Sequence, residues 1–263
     1  MTRQSDGVRV VKLGGSLIED LSRADALCQG LVRALGDGPA VVVHGGGRQL
    51  TALCGRLGIV SRFEDGLRVT DDETLRAALM ALAGLVNRTL VAACDRAGRP
   101  AIGLTGGDGR LATAQRVHPR LGRVGEIVSV RRAPLDMALA AGLLPVVATL
   151  ALSEEDGGWL NVNADAMASA IASALGASSL TFLTDVAGVL DADGRLLGEL
   201  DSGAAGRLVE SGAVGGGMRP KIAACREALA RGVGEVVILP GELLLSGRIS
   251  RAGSNGAGTR IVP

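Results

Sequence analysis

All but two of the 28 basic residues in this 263-residue chain are arginine. The exceptions, Lys12 and Lys221, both sit beside glycine-rich turns, in VRVVKLGGS and GGGMRPK. Arginine presents a wide planar fork, whereas lysine offers a compact ammonium that can approach a single oxygen. Two such point charges at two Gly-rich loops suit phosphate chemistry. Several glycine clusters stand at expected strand ends, among them the four Gly14-Gly15, Gly45-Gly46-Gly47, Gly106-Gly107 and Gly215-Gly216-Gly217. Without side chains, backbone N–H groups can close around an anion, particularly where a helix begins directly afterwards. Any single cluster is better explained by a loop packing tightly on a strand. Four clusters, two of them flanked by the only lysines, shift the balance toward phosphate. Neither GxxxxGK[ST] nor GxGxxG after a strand is present, which argues against a P-loop and against an ordinary dinucleotide fold.

The elements that must position these residues are legible as periodicity. Near-continuous apolar runs occupy residues 8–13, 40–44, 101–105, 144–150, 179–185 and 235–239. Runs of that length without alternation are what strands buried on both faces look like. Helical patterns fit between them: 20–35 with an apolar face, 71–96 opened by the capping signature Thr70-Asp71-Asp72-Glu73, 165–175 ending at Gly176, and the segment from Pro220 to Gly232. Residues 110–132 alternate like a β-hairpin, and 190–200 carries a tight Asp193-Gly194 turn. The expected fold is α/β, a three-layer αβα sandwich with an open, mainly parallel central sheet. Two lobes meet near residue 178, with a cleft along the carboxyl edges of the strands, where ligands bind in such sheets.

Composition removes other classes. A net charge of +1 with mixed signs gives no electrostatic footprint for nucleic acid or anionic lipid. With only Phe63, Phe182 and Trp159 as aromatics, base-stacking platforms are absent. The cysteines Cys28, Cys54, Cys94 and Cys225 form no CxxC pair, and small buried hydrophobes in a reduced, cytoplasmic setting are expected. The N-terminal residues lack an apolar stretch of signal-peptide type. The most hydrophobic window, Met137 to Leu152, is interrupted by Gly142 and Pro145 and reads as a helix end followed by a buried strand, not a membrane span.

Taken together, Lys12-Leu13-Gly14-Gly15-Ser16, His44-Gly45-Gly46-Gly47, Gly66-Leu67-Arg68-Val69-Thr70-Asp71, Asn161-Val162-Asn163-Ala164-Asp165, Thr184-Asp185-Val186 with Gly188, and Gly217-Met218 through Lys221 resemble the N-acetylglutamate kinase branch of the amino-acid kinase superfamily. KLGGS and HGGG mark only the superfamily; GLRVTD with NVNAD is much more specific to the acetylglutamate branch. The resemblance spans nearly the whole chain and implies the amino-acid kinase fold and transfer of the ATP γ-phosphoryl group to the side-chain carboxylate of N-acetyl-L-glutamate, a step of arginine biosynthesis. It implies an N-terminal lobe, residues 1–178, for the acyl amino acid and for dimerisation, and a C-terminal lobe, 179–263, for ATP.

Within that frame, Lys12 and Lys221 bracket the migrating group and Asp165 holds the two ammoniums in place. A carboxylate nucleophile is already ionised at neutral pH, so no general base is needed. Arg68 suits the α-carboxylate of the acceptor, although an ordinary salt-bridge role is the competing reading. By resemblance, Gly46 and Gly47 meet the reacting carboxylate end and Asn161 bonds the acylated moiety. Asn163 is either a substrate contact or simply a helix cap. The nucleotide is expected over Gly14, Gly15, Asp185, Val186, Gly188, Val189, Leu190, Gly215 and Gly217. Mg²⁺ should arrive with ATP, held largely by phosphate oxygens, with no metal site of the protein's own. His44 reads as a hydrogen-bonded structural residue.

Two departures from the family pattern are Arg48 before Gln49, where proline is common, and Arg219 in the last glycine loop. Only eleven residues precede Lys12, which leads to the expectation of a homodimer insensitive to arginine. The alternatives are a related kinase acting on another N-acylated or carrier-linked glutamate or aminoadipate, and a non-catalytic metabolite sensor on the same fold. The sensor should have lost a lysine or Asp165, and all three are present.

Overall fold

The apolar runs form the strands of a central sheet. The computed structural model describes residues 7–191, 193–212, 214, 218–245 and 257–263. In chain order, β1 (Arg9–Leu13) leads to α1 (Ala24–Leu35), β2 (Ala40–His44) to α2 (Gly47–Arg56), and a short hairpin follows, β3 (Phe63–Glu64) and β4 (Leu67–Arg68). A 25-residue helical run covers Asp72–Arg96: α3 (Asp72–Ala78), a π-helical stretch over Leu79–Val86, and α4 (Asn87–Arg96). Next come β5 (Ala101–Thr105), β6 (Ala112–Arg116), β7 (Val124–Val130), α5 (Ala133–Ala140), β8 (Leu144–Ala148), β9 (Leu150–Ser153), β10 (Trp159–Val162) and α6 (Ala164–Leu175). The remainder is β11 (Ser179–Thr184), β12 (Glu199–Asp201), α7 (Ser202–Glu210), α8 (Met218–Ala230), β13 (Val236–Pro240), α9 (Glu242–Leu245) and β14 (Thr259–Val262).

Eight strands form one sheet in the order β12-β14-β13-β11-β1-β2-β8-β5. It is parallel from β13 to β5, and β14 runs antiparallel to β13. Strand β1 lies near the middle, with Lys12 in register between Val43 of β2 and Phe182 of β11. Because side chains alternate across a strand, Val11 and Leu13 join the core beneath α1 and α4, whereas Val10 joins the core against α6 and α8. Lys12 shares the face of Val10, so its ammonium is directed to the side that α6 and α8 cover.

The 110–132 hairpin forms as expected, with β6 and β7 antiparallel. It does not stand alone: β6, β7, β9 and β10 close into a four-stranded barrel, a second sheet that the periodicity did not foretell. The expected 144–150 strand is divided, because the chain leaves the main sheet at the buried Thr149 and enters the barrel as β9. The helix expected from Pro220 begins two residues earlier, at Met218, leaving Pro220 in its first turn. All four cysteines are buried on helices.

The run Asp72–Arg96 starts on Asp71, whose carboxylate accepts from Thr74 N at 2.8 Å. By length and hydropathy it could cross a bilayer, but half of its apolar window is buried inside the protein. Its inward face packs on α1, α2 and β5, as a core helix does. Met80 and Leu85 point outward, 51% and 56% exposed.

Candidate active site

Three charges meet at the carboxyl end of β1. Asp165, in the first turn of α6, has Lys12 Nζ 2.8 Å from its Oδ1 and Lys221 Nζ 2.7 Å from its Oδ2. The Lys221 contact is a hydrogen bond. The Lys12 contact is an ion pair on the other oxygen of the same carboxylate. Burial pushes the Asp165 carboxyl up, but Lys12 and then Lys221 outweigh it, and the group is held below the usual carboxylate range. Lys221 also sits over the Phe182 ring, 5.0 Å from its centroid. One turn further along α8, burial pushes the Cys225 thiol up to about 12, keeping it neutral beside the lysine. The two lone lysines, 209 positions apart, therefore converge on one carboxylate.

The glycine clusters divide by role. Gly14 donates its N–H to Leu183 O at 2.8 Å, and a Cβ there would lie 2.6 Å from that oxygen. Gly15 faces open space. Gly46 has φ +150°, and an added Cβ would strike Leu82 at 2.7 Å. Gly47 opens α2 with nothing near its missing side chain. Gly106 and Gly107 are packing glycines, as Gly14 and Gly46 also are: added Cβ atoms would meet Leu150 O at 2.5 Å and the Trp159 ring at 2.1 Å, so only Gly15 and Gly47 of these pairs leave open space.

Beside the Gly45–Gly47 turn is a cleft of about 190 Å³ that extends to Asn163 and Ala164, immediately before Asp165. Arg68 lines it, 8% exposed. Its guanidinium donates to Ser61 Oγ at 2.7 Å, Gly47 O at 3.0 Å and Thr51 Oγ1 at 2.6 Å, and lies 4.6 Å from the centroid of Phe63. Among the described residues no carboxylate pairs with it, so it is not an ordinary salt-bridge partner. Burial lowers its pKa, the signature of a cation short of counter-charge. Asn161, at the mouth of the barrel, lines the same cleft and donates to Thr70 Oγ1 at 3.2 Å. Asn163 caps α6, its Oδ1 accepting from Asp165 N at 2.8 Å and Ala166 N at 3.1 Å. It also lines the cleft, so capping and ligand contact are compatible in one residue.

Behind the turn, His44 is fully buried. Its Nδ1 lies 2.7 Å from Gly45 O and its Nε2 3.0 Å from Asn87 Nδ2. Asn87 also donates to Val146 O at 2.8 Å, which fixes the amide and leaves Nε2 as the acceptor and Nδ1–H as the donor. Burial depresses the His44 pKa to about 4, in keeping with a structural imidazole.

On the other side of the triad, Asp185, Val186 and Leu190 follow β11, with Val186 and Leu190 exposed. Gly188 and Val189 are packed instead: Val189 N donates to Thr259 Oγ1 at 2.8 Å, and Gly188, at φ +145°, approaches the same hydroxyl. Gly215 and Gly217 lie outside the described residues. Sequence reasoning missed Ser61 and Thr51, which hold Arg68, and Leu82 and Val124, which line the cleft. Thr51 had a signal, since it falls one helical turn after Gly47, and Ser61 lies only seven residues before Arg68 across the β3–β4 hairpin; Leu82 and Val124 depend on tertiary proximity. Among the described residues no three His, Cys, Asp or Glu side chains are grouped as metal ligands.

The model of the amino acid kinase family matches residues 7–240. The chain belongs to the amino acid kinase family. This amino acid kinase is 42% identical to an acetylglutamate kinase of Rhizobium rhizogenes, an alignment covering all of this chain and 94% of the relative. Among solved structures, a protein of Streptococcus mutans UA159 superposes with TM-score 0.80 and 29% identity, covering 97% of this kinase and 98% of that chain. N-acetylglutamate synthase from Neisseria gonorrhoeae, complexed with coenzyme A and N-acetyl-glutamate, superposes with TM-score 0.82 and 27% identity over 98% of this chain and 60% of its own.

Proposed function

We propose that this amino acid kinase transfers the γ-phosphoryl group of ATP to the side-chain carboxylate of N-acetyl-L-glutamate. The bond from γ-phosphorus to the β-phosphate oxygen breaks, a bond to the carboxylate oxygen forms, and the products are ADP and an acyl phosphate. The observation that carries this reading is the Lys12–Asp165–Lys221 cluster at the head of a cleft whose wall holds the buried, acid-free guanidinium of Arg68. The whole-length similarity to an acetylglutamate kinase supports the choice of acceptor.

Phosphoryl transfer asks a protein mainly for alignment and charge neutralisation. Lys12 and Lys221 supply two positive charges to the equatorial and bridging oxygens, and Asp165 keeps both ammoniums oriented before substrates arrive. The α6 and α8 N-termini add favourable potential. Arg68 receives the acceptor's α-carboxylate; Gly46, Gly47, Asn161 and Asn163 position the remainder. The nucleotide lies over Gly14, Gly15 and the Asp185–Leu190 segment, and Gly215 and Gly217 complete this reading. Both oxygens of Asp165 are occupied by lysines, so Mg²⁺ enters as part of the ATP complex, coordinated mainly by phosphates.

Residues 1–178 then form the acceptor lobe and 179–263 the nucleotide lobe, although the sheet is continuous across the boundary. A homodimer in the cytoplasm completes the proposal, with the outward Met80 and Leu85 as the self-associating surface. The test is an ATP-dependent assay with N-acetyl-L-glutamate in which hydroxylamine traps the acyl phosphate. Absence of hydroxamate, or faster turnover of a succinylated or carrier-linked acceptor, would overturn the assignment.

A further inference from the structure

Gln49, in the first turn of α2, is 8% exposed and lies between the two glycine-rich turns that the proposed reaction must bring together. Its amide nitrogen donates to Ile18 O and, at 2.9 Å, to Glu19 O, both in the segment that follows Gly14-Gly15. Its amide oxygen is buried with no hydrogen-bond partner. Rotating the amide by half a turn would set that oxygen against two carbonyls, so the orientation is fixed. A side chain serving only to fill the core would be apolar there. This one is held by its donor end alone, and the orphaned acceptor is a cost that packing does not require.

The segment it grips is anchored in the core by the side chain of Ile18, 1% exposed, and its start by Gly14 N on Leu183 O, but its backbone between those points has few hydrogen bonds. Between β1 and α1 the backbone is held by single-turn bonds, Leu17 N to Gly14 O and Glu19 N to Ser16 O. Across the same junction Arg48, at one of the positions where the sequence departs from the family pattern, forms an ion pair with Glu19. On its own side Gln49 sits in the first turn of a helix whose first residue, Gly47, gives its carbonyl to Arg68. A continuous set of contacts thus runs from Arg68 through Gly47 and α2 to Gln49, and from there to the Gly14–Asp20 turn.

We propose that Gln49 is a positioning residue: it clasps the donor-side turn to the acceptor-side turn and so sets the distance between the phosphorus and the attacking carboxylate. The Arg48–Glu19 pair reinforces the clasp at the surface. Gln49 touches no reacting atom, and its effect is exerted on alignment, where an error of about 1 Å can cost roughly 100-fold in rate. This rests on the phosphotransferase reading above.

The test uses the full-length protein with Gln49→Ala and with Gln49→Met, which keeps the volume and removes the donor. In both, kcat should fall about 10- to 100-fold, while KM for ATP and for the acceptor stays within about threefold and the melting temperature within a few degrees. Amide hydrogen exchange over residues 14–20 should rise in both variants while α2 stays protected. A kcat within twofold of the parent in a folded variant overturns the proposal. So does a rise in acceptor KM alone, which would make Gln49 part of the pocket. If Gln49→Ala does not fold, Gln49→Met decides alone; if neither folds, Gln49 is a structural residue and the proposal fails. Should the parent protein show no activity with N-acetyl-L-glutamate, the functional reading fails separately, and the exchange measurement still reports on the clasp: unchanged exchange at residues 14–20 refutes it.

Discussion

Replacing Arg68 by glutamine separates binding from chemistry more sharply than any lysine substitution. The guanidinium donates to Ser61, Gly47 and Thr51, all uncharged, and stacks on Phe63. Among the described residues its positive charge has no carboxylate partner. Removing it leaves no orphaned carboxylate behind, which spares the protein the large penalty of a broken buried ion pair. The melting temperature should fall by no more than a few degrees. The acceptor, in contrast, loses at least one charge-assisted hydrogen bond of about 1.5–3 kcal/mol. At about 1.4 kcal/mol per decade, that predicts a roughly 10- to 150-fold rise in acceptor KM. Because the α-carboxylate lies away from the reacting end, the lost interaction is made equally in ground and transition states, so kcat and the KM for ATP should change little. Steady-state kinetics with each substrate varied in turn gives the answer. An acceptor KM within threefold of the parent, with the loss confined to kcat, would remove Arg68 from substrate binding and place it in the transition-state machinery. Lysine at this position keeps charge but not the fork and should recover only part of the affinity.

Other expectations concern charge, pH and assembly. Lys12→Ala and Lys221→Ala should each lower kcat by about 100- to 1,000-fold, the range for loss of one charge-stabilising group; near-normal turnover in both would end the mechanism. His44 is neutral in the folded protein down to about pH 4, whereas an unfolded imidazole binds a proton near its ordinary value of about 6.5. Stability is therefore undiminished above pH 6.5 and declines as pH falls from there toward 4, by on the order of 3 kcal/mol. Denaturant midpoints at pH 7.5, 6 and 5 for the parent and for His44→Gln should diverge in slope, and parallel curves would refute the assignment. If the proposed homodimer uses the outward face of the Asp72–Arg96 run, the parent should have a dimer's mass by light scattering and Leu85→Lys a monomer's; a monomeric parent, or an unchanged mass in the variant, would refute that surface.

What was legible in the sequence follows physical rules that act locally or through rarity. The central sheet could be read because strands buried on both faces must be apolar throughout, as in AVVVH at 40–44, whose bounds match β2. The lysines stood out because Lys12 and Lys221 are the only ones in a chain rich in arginine, and the structure brings them to one carboxylate. Asn163 could be read only as either cap or contact, since both uses want a short amide before a helix, and the structure shows the cap while leaving room for the contact. Glycine is ambiguous for a similar reason. Gly14-Gly15 and Gly106-Gly107 look alike in sequence, yet Gly15 faces open space whereas both members of the second pair yield space to Leu150 and Trp159, residues 44 and 52 positions away from Gly106 and Gly107. The barrel was illegible because closure depends on β9 and β10 meeting β6 and β7 across the fold. Gln49 carries no periodic signal at all, and its partners Ile18 and Glu19 lie 31 and 30 residues away.

The small barrel has an evolutionary corollary. Asn161, Val162 and Val124 all reach the acceptor cleft from it, whereas Lys12 and Lys221 come from the main sheet and a helix upon it. A closed ring of strands has no raw margin to invite mispairing, so its connecting turns can lengthen or change composition at little risk to solubility. A lineage could in this way retailor which acid is accepted while the electrostatic hub that moves phosphorus stays untouched.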